Sequence, residues 1–407
     1  MSNDILWRSV NSLYLWVQKE KHQGWDPYDG LSGEVTQKVA NKKWLSILIL
    51  QLNLYSPVNL RPMFRIKKGC ANKARALFSR AYLNLYSLTG DKNFKIEAKT
   101  ILKKLETQNL SKNKDEFCCA SYYFPYIAPK HYLGPSLPDI ICVTESAKSF
   151  IQGYAILKKK KYLLLANKAV KFLLNKLVGS FEEEVYFKYT PLERGKIVFN
   201  VSALALETIS ALLRYSGNES LLEIGQDVVK LLIKHQRVDG AWPYSIHTNS
   251  RMYYWQIDYH QGFIIDGLLE FFPYITHGKL RDQTKYAIHK AITFYMKKQF
   301  TLEGASYYRY PIKYPIDIHN QAQGIITFSR LYSRTGDKKY LKFAQKIAQW
   351  TIKNMQSQEG YFYTHKWPGF VNKTPHMRWG QAWMILALST LLSMGGTQNE
   401  SHYDWPN

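Results

Sequence analysis

Apolar residues recur every three or four positions along most of this chain, and the polar residues between them define two kinds of segment. "YLKFAQKIAQWTIKNMQ" (340–356) keeps its apolar residues on one helical face and its Lys and Gln on the other, which predicts a helix half in water. "QAQGIITFSRLY" (321–332) is small or apolar nearly all round, which predicts a buried helix. Ser202–Leu213 and Gly262–Phe272 are of the second kind. A turn separates one kind from the next: "RYSGNESLL" with Gly217, "ITHGKLRDQ" with Gly278 and "SRTGDKKYL" with Gly336, spaced by 61 and 58 residues. Gly90 in "SLTGDKNF" stands in the same context, and "KKKKYLLLA" falls where another turn is due. Glycine just past an apolar helix marks its end, because it enters the left-handed conformation cheaply. The repeating unit is therefore a helical hairpin with one buried and one outer helix.

Such hairpins are expected near 34–60, 70–108, 140–178, 200–236, 258–300 and 317–355, with lone helices at 3–20 and 378–393 pairing to finish the set. The fold class is all-α, and a closed (α/α)6-type toroid is favoured over an open solenoid of the same hairpins. Small residues on the inner helices (Gly153, Ala205, Gly262, Gly324, Gly380) suit tight packing about one axis. A single domain is expected over 1–395, followed by a polar tail at 396–407. Turns from inner to outer helix are short. The returns, 109–139, 178–199, 237–257, 301–316 and 356–377, are long and aromatic, and all must lie on the face where inner helices begin. A concave mouth lined by Trp, Tyr and Phe suits sugar rings.

The inner helices are expected to begin near Glu145, Asn200, Asp258, Asp317 and Arg378, separated by 55, 58, 59 and 61 residues. "WQIDYHQGFIIDG" and "YPIDIHNQAQG" then place Asp-x-His at two successive helix mouths, as Asp258–His260 and Asp317–His319. Asp258, Asp317 and Asn200 are good helix caps, which needs no substrate. The histidines are harder to explain that way. A helix N-terminus disfavours the protonated ring and keeps imidazole available as a base. His260, His319, Asp258, Asp317 and Arg378 are the candidates for catalysis, with Arg378 able to fork onto a carboxylate or phosphate. Trp25, Asp26 and Asp29 in "GWDPYDG", together with Glu145, Asn200, Arg251, Tyr254, Trp255 and Trp379, are candidates for holding substrate. His376, Tyr189 and Arg309 are weaker ones. "QRVDGAWPYS", with Asp239 and Trp242, resembles the punctuation that locks neighbouring hairpins in helical toroids, and a structural role is expected there. The Asp-His pairs lack a compact metal-binding spacing, so neither a metal nor a cofactor is expected.

Composition changes the picture in three ways. A formal charge of +24 over 407 residues suits an anionic partner, an acidic glycan or a membrane surface, or else reflects solvated outer helices. No nucleic-acid module occurs, nor any phosphate-binding Gly loop, nucleophile elbow or H-E-x-x-H. The longest apolar candidate, "WLSILILQLNLYS", is too short to span a bilayer. With no signal-like N-terminus and with Cys70, Cys118, Cys119 and Cys142 forming no disulfide pattern, a cytoplasmic protein with reduced thiols is expected.

"GWDPYDGLSG", "TPHMRWGQAWMILALS", "YPIDIHNQAQGI", "WTIKNMQ" and "GYFYTHKW" together resemble the VpsJ-type proteins, helical toroids encoded among bacterial and archaeal polysaccharide-biosynthesis genes. The resemblance covers nearly the whole chain. It implies a cytosolic place in surface-glycan assembly and assigns no residue a role. "FCCASYYFPY" (117–126) departs from the Trp- and Gly-richer stretch expected there. More distantly, the plan is similar to sugar 2-epimerases, unsaturated-uronyl hydrolases, polysaccharide lyases and uronyl C5-epimerases. The favoured expectation is an epimerase, lyase or glycosidase acting on an anionic or nucleotide- or lipid-linked glycan. A non-catalytic glycan-binding or scaffold protein is the alternative. A terpenoid cyclase is disfavoured, because no D-x-D-D or D-D-x-x-D occurs.

Overall fold

The computed structural model describes residues 3–39, 42–128, 131–276 and 278–395. The tail expected at 396–407 lies outside the described residues. The described residues form thirteen α-helices: α1 (Asn3–Lys19), α2 (Lys43–Tyr55), α3 (Asn72–Thr89), α4 (Lys92–Glu106), α5 (Ile140–Leu157), α6 (Lys160–Phe172), α7 (Phe199–Leu213), α8 (Glu219–Lys234), α9 (His260–Phe271), α10 (Lys279–Lys298), α11 (Ile318–Thr335), α12 (Lys338–Met355) and α13 (Ala382–Ser393).

The sequence period sorts them. In α7 nearly every residue is buried, from Phe199 to Leu213. In α12 only one face is: Tyr340, Phe343, Ala344, Ile347, Ala348, Thr351 and Met355. The inner helices α3, α5, α7, α9, α11 and α13 pack each on the next, and α13 packs back onto α3, so the ring is closed. Gly90 and Gly336 end α3 and α11 in the left-handed conformation, at φ of 72° and 71°. Gly217 and Gly278 do not: one precedes the Asn218 cap of α8, the other is itself the residue before α10.

Two expectations are corrected. No ring hairpin forms over 34–60. That stretch holds a short 3-10 turn and α2, while α13 pairs with α1 as expected and makes the sixth hairpin, with Leu6, Val10, Leu13 and Val17 of α1 buried. Glu145 does not open α5. Asp139 caps that helix, accepting from the Cys142 N–H at 3.0 Å, and Glu145 lies more than a turn inside. There it belongs to a charged belt across the ring axis. Arg80 bonds Glu145 at 2.6 Å, Lys148 bonds Glu145 at 2.8 Å and Glu207 at 2.5 Å, and Arg330 bonds Glu207 and Asp266, each at 2.8 Å. Four inner helices beyond α3 are thus tied together by pairs in which each charge meets its opposite.

Neighbouring hairpins are also locked by a recurring clamp. Gln261 of α9 accepts from the Trp242 N–H at 2.8 Å and donates to its carbonyl at 2.9 Å. Gln381 does the same to Phe362, at 2.8 and 2.7 Å. Gln321 accepts from the Ser306 N–H and donates to the Gly304 carbonyl. The loop glycine beside each clamp has positive φ and presses on the outer helix of the next hairpin. A Cβ on Gly360 (φ 101°) would stand 2.4 Å from the Ser12 carbonyl oxygen of α1. Gln356 seals the same joint by bonding the Ser9 carbonyl at 3.1 Å. The Asp239–Trp242 turn is one of these clamps. Trp242 is fully buried and donates to the Leu232 carbonyl.

All long returns lie at the end where inner helices begin. Short antiparallel ribbons stiffen them: Tyr126–Ala128 with His131–Leu133, Lys196–Val198 with Ser245–His247 and Tyr253–Tyr254, and Ile316–Asp317 with His365–Lys366 and Val371–Asn372. Among the described residues no helix is long and apolar enough to cross a membrane.

Candidate functional site

The mouth holds a cavity of about 370 Å³, walled by the first turns of α3, α9 and α11 and by the aromatic returns. His260 and His319 both line it, one on each of two neighbouring inner helices. Each ring centroid lies 4.1 Å from that of Tyr259, so the two imidazoles flank one phenol.

The two Asp-x-His motifs begin alike. Asp258 accepts from the His260 N–H at 3.1 Å, and Asp317 from the His319 N–H at 2.7 Å, which satisfies first-turn donors at both helices. Beyond that they diverge. The same Asp258 oxygen meets His260 Nδ1 at 2.5 Å, and Gln256 holds the other oxygen at 2.7 Å. With Nδ1–H given to the carboxylate, Nε2 is the nitrogen left for the cavity. Asp317 instead takes His365 Nε2 at 3.0 Å and Trp379 Nε1 at 3.1 Å.

His319 therefore has neither nitrogen bonded, although both are buried. Its ring is packed among aromatic ones, stacked on Tyr259 and on Trp383 at 4.8 Å, with Trp379 edge-on at 4.6 Å. Burial first, then the nearby Lys73, His260 and Arg378, hold its pKa well below the ordinary histidine value, so the ring is neutral. A buried donor and acceptor left unmade cost about 1–3 kcal/mol each.

Basic side chains dominate the wall. Lys73, Lys196, Arg309 and Arg378 line the cavity, against one carboxylate among the described residues, that of Glu193. Burial lowers Lys73 to about 7, with Arg378 contributing in the same direction, and its ammonium sits 5.1 Å from the Trp383 ring centroid. Burial likewise lowers Lys196 and raises Glu193. Asn200 does not cap α7, because the chain enters that helix through Val198. Its side chain lines the cavity with Oδ1 unbonded.

Several expected substrate contacts are placed elsewhere. Arg378 reaches the wall, but its fork is filled from inside: Nε and Nη2 bond Asp26 at 2.5 and 2.8 Å. A fully buried guanidinium needs an internal counter-charge, and Asp26 supplies it. Asp29 is buried against Arg61 at 2.7 Å and does not line the cavity. Trp25 donates to the Ile66 carbonyl under Lys68, away from the cavity wall. Arg251 is paired with Glu182, and exposed Trp255 lies under Arg237; neither lines the cavity. Glu145 is in the axial belt. Tyr254, Trp379, Tyr189 and Arg309 do line the cavity, whereas His376 is buried with Nδ1 bonded to Thr364.

Lys73, Tyr259, Glu193, Lys196 and His365 carry site chemistry that the sequence reading passed over. Lys73 sits in the first turn of α3, one of the inner helices, and counting that helix start with the others would have found it. His365 lies in a return, where no spacing points to Asp317. A smaller cavity of about 80 Å³ adjoins the first and brings Asp258, Asp317 and His365 to one wall. Among the described residues no group of three or more His, Cys, Asp or Glu side chains is placed to hold a metal ion.

No family model and no curated protein matches the chain. Solved structures do resemble it in fold. The cellobiose 2-epimerase of Bacillus thermoamylovorans superposes with a TM-score of 0.64 at 14% identity, over 82% of this chain and 90% of that one. A GH76 α-mannanase of Bacteroides thetaiotaomicron gives 0.63 at 13%, over 82% and 88%. An unsaturated glucuronyl hydrolase specific for heparin gives 0.64 at 14% identity, over 97% of this chain and 99% of that one. The chain shares the (α/α)6 toroid fold of these proteins.

Proposed function

We propose that the protein is a carbohydrate-active enzyme that moves a proton at a sugar carbon next to a carbonyl or carboxylate, as an epimerase or lyase does. The observation that carries this reading is His319: a neutral imidazole with both nitrogens unbonded, on the wall of the cavity that His260 also lines. His319 takes the carbon-bound proton, and the C–H electron pair moves onto the neighbouring oxygen as an enolate. The cations of the wall, Lys196 and Arg309, offset that charge. His260 enters the step with a proton on each nitrogen, Nδ1–H held by Asp258, and gives the Nε2 proton to the carbon for epimerisation or to the leaving oxygen for elimination, ending as neutral imidazole.

A two-carboxylate glycosidase is less well supported, because Glu193 is the one carboxylate on the wall of the main cavity among the described residues. The excess of cations favours an anionic sugar, such as a uronate. Fold likeness to epimerases and to a glucuronyl hydrolase adds analogy only. The resemblance to VpsJ-type proteins favours a substrate from surface-polysaccharide assembly.

The test is deuterium exchange. Incubated in D2O with uronate-containing oligosaccharides, the protein is expected to place deuterium on a ring carbon. His260→Asn and His319→Phe should each reduce the rate by about 10²–10⁴ with folding intact. Elimination would instead release an unsaturated, ultraviolet-absorbing sugar, and tight glycan binding with neither exchange nor that product would favour the non-catalytic binder.

A further inference from the structure

The helix α2 is built inside out. Ser46, Leu50 and Asn53 face the protein, and Trp44, Leu45, Leu48, Leu52 and Tyr55 face water. The inward polar groups are held locally: Ser46 Oγ donates to the Val39 carbonyl at 3.2 Å and Asn53 Nδ2 to the Ile49 carbonyl at 3.0 Å. Trp44, Leu48 and Leu52 are 74%, 53% and 49% exposed and recur at i, i+4 and i+8, so they form one stripe. The strap after the helix adds Val58 and Met63, each 66% exposed. A contiguous apolar stripe of this kind marks a surface that meets something.

Charge narrows the partner. Residues 35–68 contain seven Lys and Arg and no Asp or Glu, within a chain of net charge +24; Arg61, Arg65, Lys67 and Lys68 pair with Asp29, Glu34 and Glu20 outside that stretch, which leaves Lys38, Lys42 and Lys43 beside the stripe. Lys42 and Lys43 stand exposed at the start of the stripe. Trp and Leu flanked by lysines, with no acid among them, fit an anionic bilayer surface: apolar side chains enter the acyl boundary and ammonium groups meet phosphates. A second copy of the chain would set lysine against lysine. The far end of α2 reaches the mouth, where Leu54 and Tyr55 line the smaller cavity and the Tyr55 hydroxyl lies 3.4 Å from that of Tyr308.

We propose that α2 and its strap dock on an anionic membrane surface and set the mouth at headgroup level. Resting on the function proposed above, the substrate is then a glycan presented on a lipid carrier.

The full chain is sedimented with vesicles of phosphatidylcholine alone and of phosphatidylcholine with phosphatidylglycerol. Binding to the anionic vesicles is expected, weakened by salt. The double variant Leu48→Ser, Leu52→Ser should lose more than about tenfold in partitioning while its circular dichroism and melting stay unchanged, because both side chains are half in water already. Lys42→Gln with Lys43→Gln should lose several-fold. No sedimentation with anionic vesicles overturns the proposal, and so does equal sedimentation of the Leu48, Leu52 variant. A dimer that this variant abolishes, seen by light scattering without vesicle binding, assigns the stripe to a second copy and overturns it too. The vesicles carry no glycan, so failure to dock leaves the proton-transfer reading standing, and docking with neither deuterium exchange nor an unsaturated product would sink that reading alone.

Discussion

Asp258 and Asp317 hold matching places in consecutive repeats, yet each ends up with a different histidine. Asp258 keeps the one two residues on, and Asp317 takes His365 from a return that folds back over it. The motif could be read from the sequence because its spacing is local. The exchange of partners could not, because it depends on where the 356–377 return lands. Asp258→Asn tests the first pair. Asparagine still caps the first turn, so folding should hold, but it no longer offers the carboxylate that holds His260 Nδ1–H. A fall of about 10²–10⁴ in the deuterium-exchange rate is expected. Lys73 gives a separate, pH-dependent test. Its folded pKa, about 7, lies below its ordinary 10.5, so the unfolded chain binds the extra proton between those values. Burial of Lys73 therefore costs most below pH 7, and the cost fades as pH rises to about 10.5. Lys73→Met should raise the melting temperature over wild type at pH 6, with the difference shrinking towards pH 10. A difference independent of pH would mean that Lys73 is not held neutral by its site.

At the scale of elements, the inner helices were legible because small and apolar residues run nearly all round them, as in α7, and the outer ones because apolar residues keep to one face with Lys opposite, as in α12. The failure at 34–60 has a physical cause. An apolar stripe at helical spacing looks the same whether it meets a core or meets water, so the sequence of α2 mimics a ring helix. The inner ring closes where α13 meets α3, and the clamp from the last return, made by Gly360 and Gln356, fixes α1 outside it. Two glycines separate the backbone cost from the packing cost. Gly90 has φ of 72° and nothing within 4 Å of a would-be Cβ, so Gly90→Ala should cost about 1 kcal/mol, the strain of the left-handed residue alone. At Gly360 that strain is joined by a collision with the Ser12 backbone, and Gly360→Ala should cost more than about 3 kcal/mol. Urea unfolding of the two variants measures the gap. Equal costs would show that α1 is not pressed against this return.

For the whole molecule, the question is whether +24 acts as a diffuse property of the surface or through particular sites. Most lysines lie on outer helices, where a screened charge attracts any anion weakly and alike. The mouth differs. Lys196 and Arg309 stand on its wall with burial reducing the water around them, while Arg378 beside them is already neutralised by Asp26. An anionic sugar in the cavity would meet the first two directly. A uronate oligosaccharide should therefore raise the melting temperature more than a neutral one of equal length, with the excess falling as salt is added. Replacing both Lys196 and Arg309 by Gln should remove the excess, about a tenfold change in affinity. Replacing the exposed pair Lys159 and Lys160 by Gln lowers the net charge by the same two units and should leave the excess in place. If both double variants weaken uronate binding equally, the selectivity belongs to the total charge, and the wall of the mouth has no special part in it.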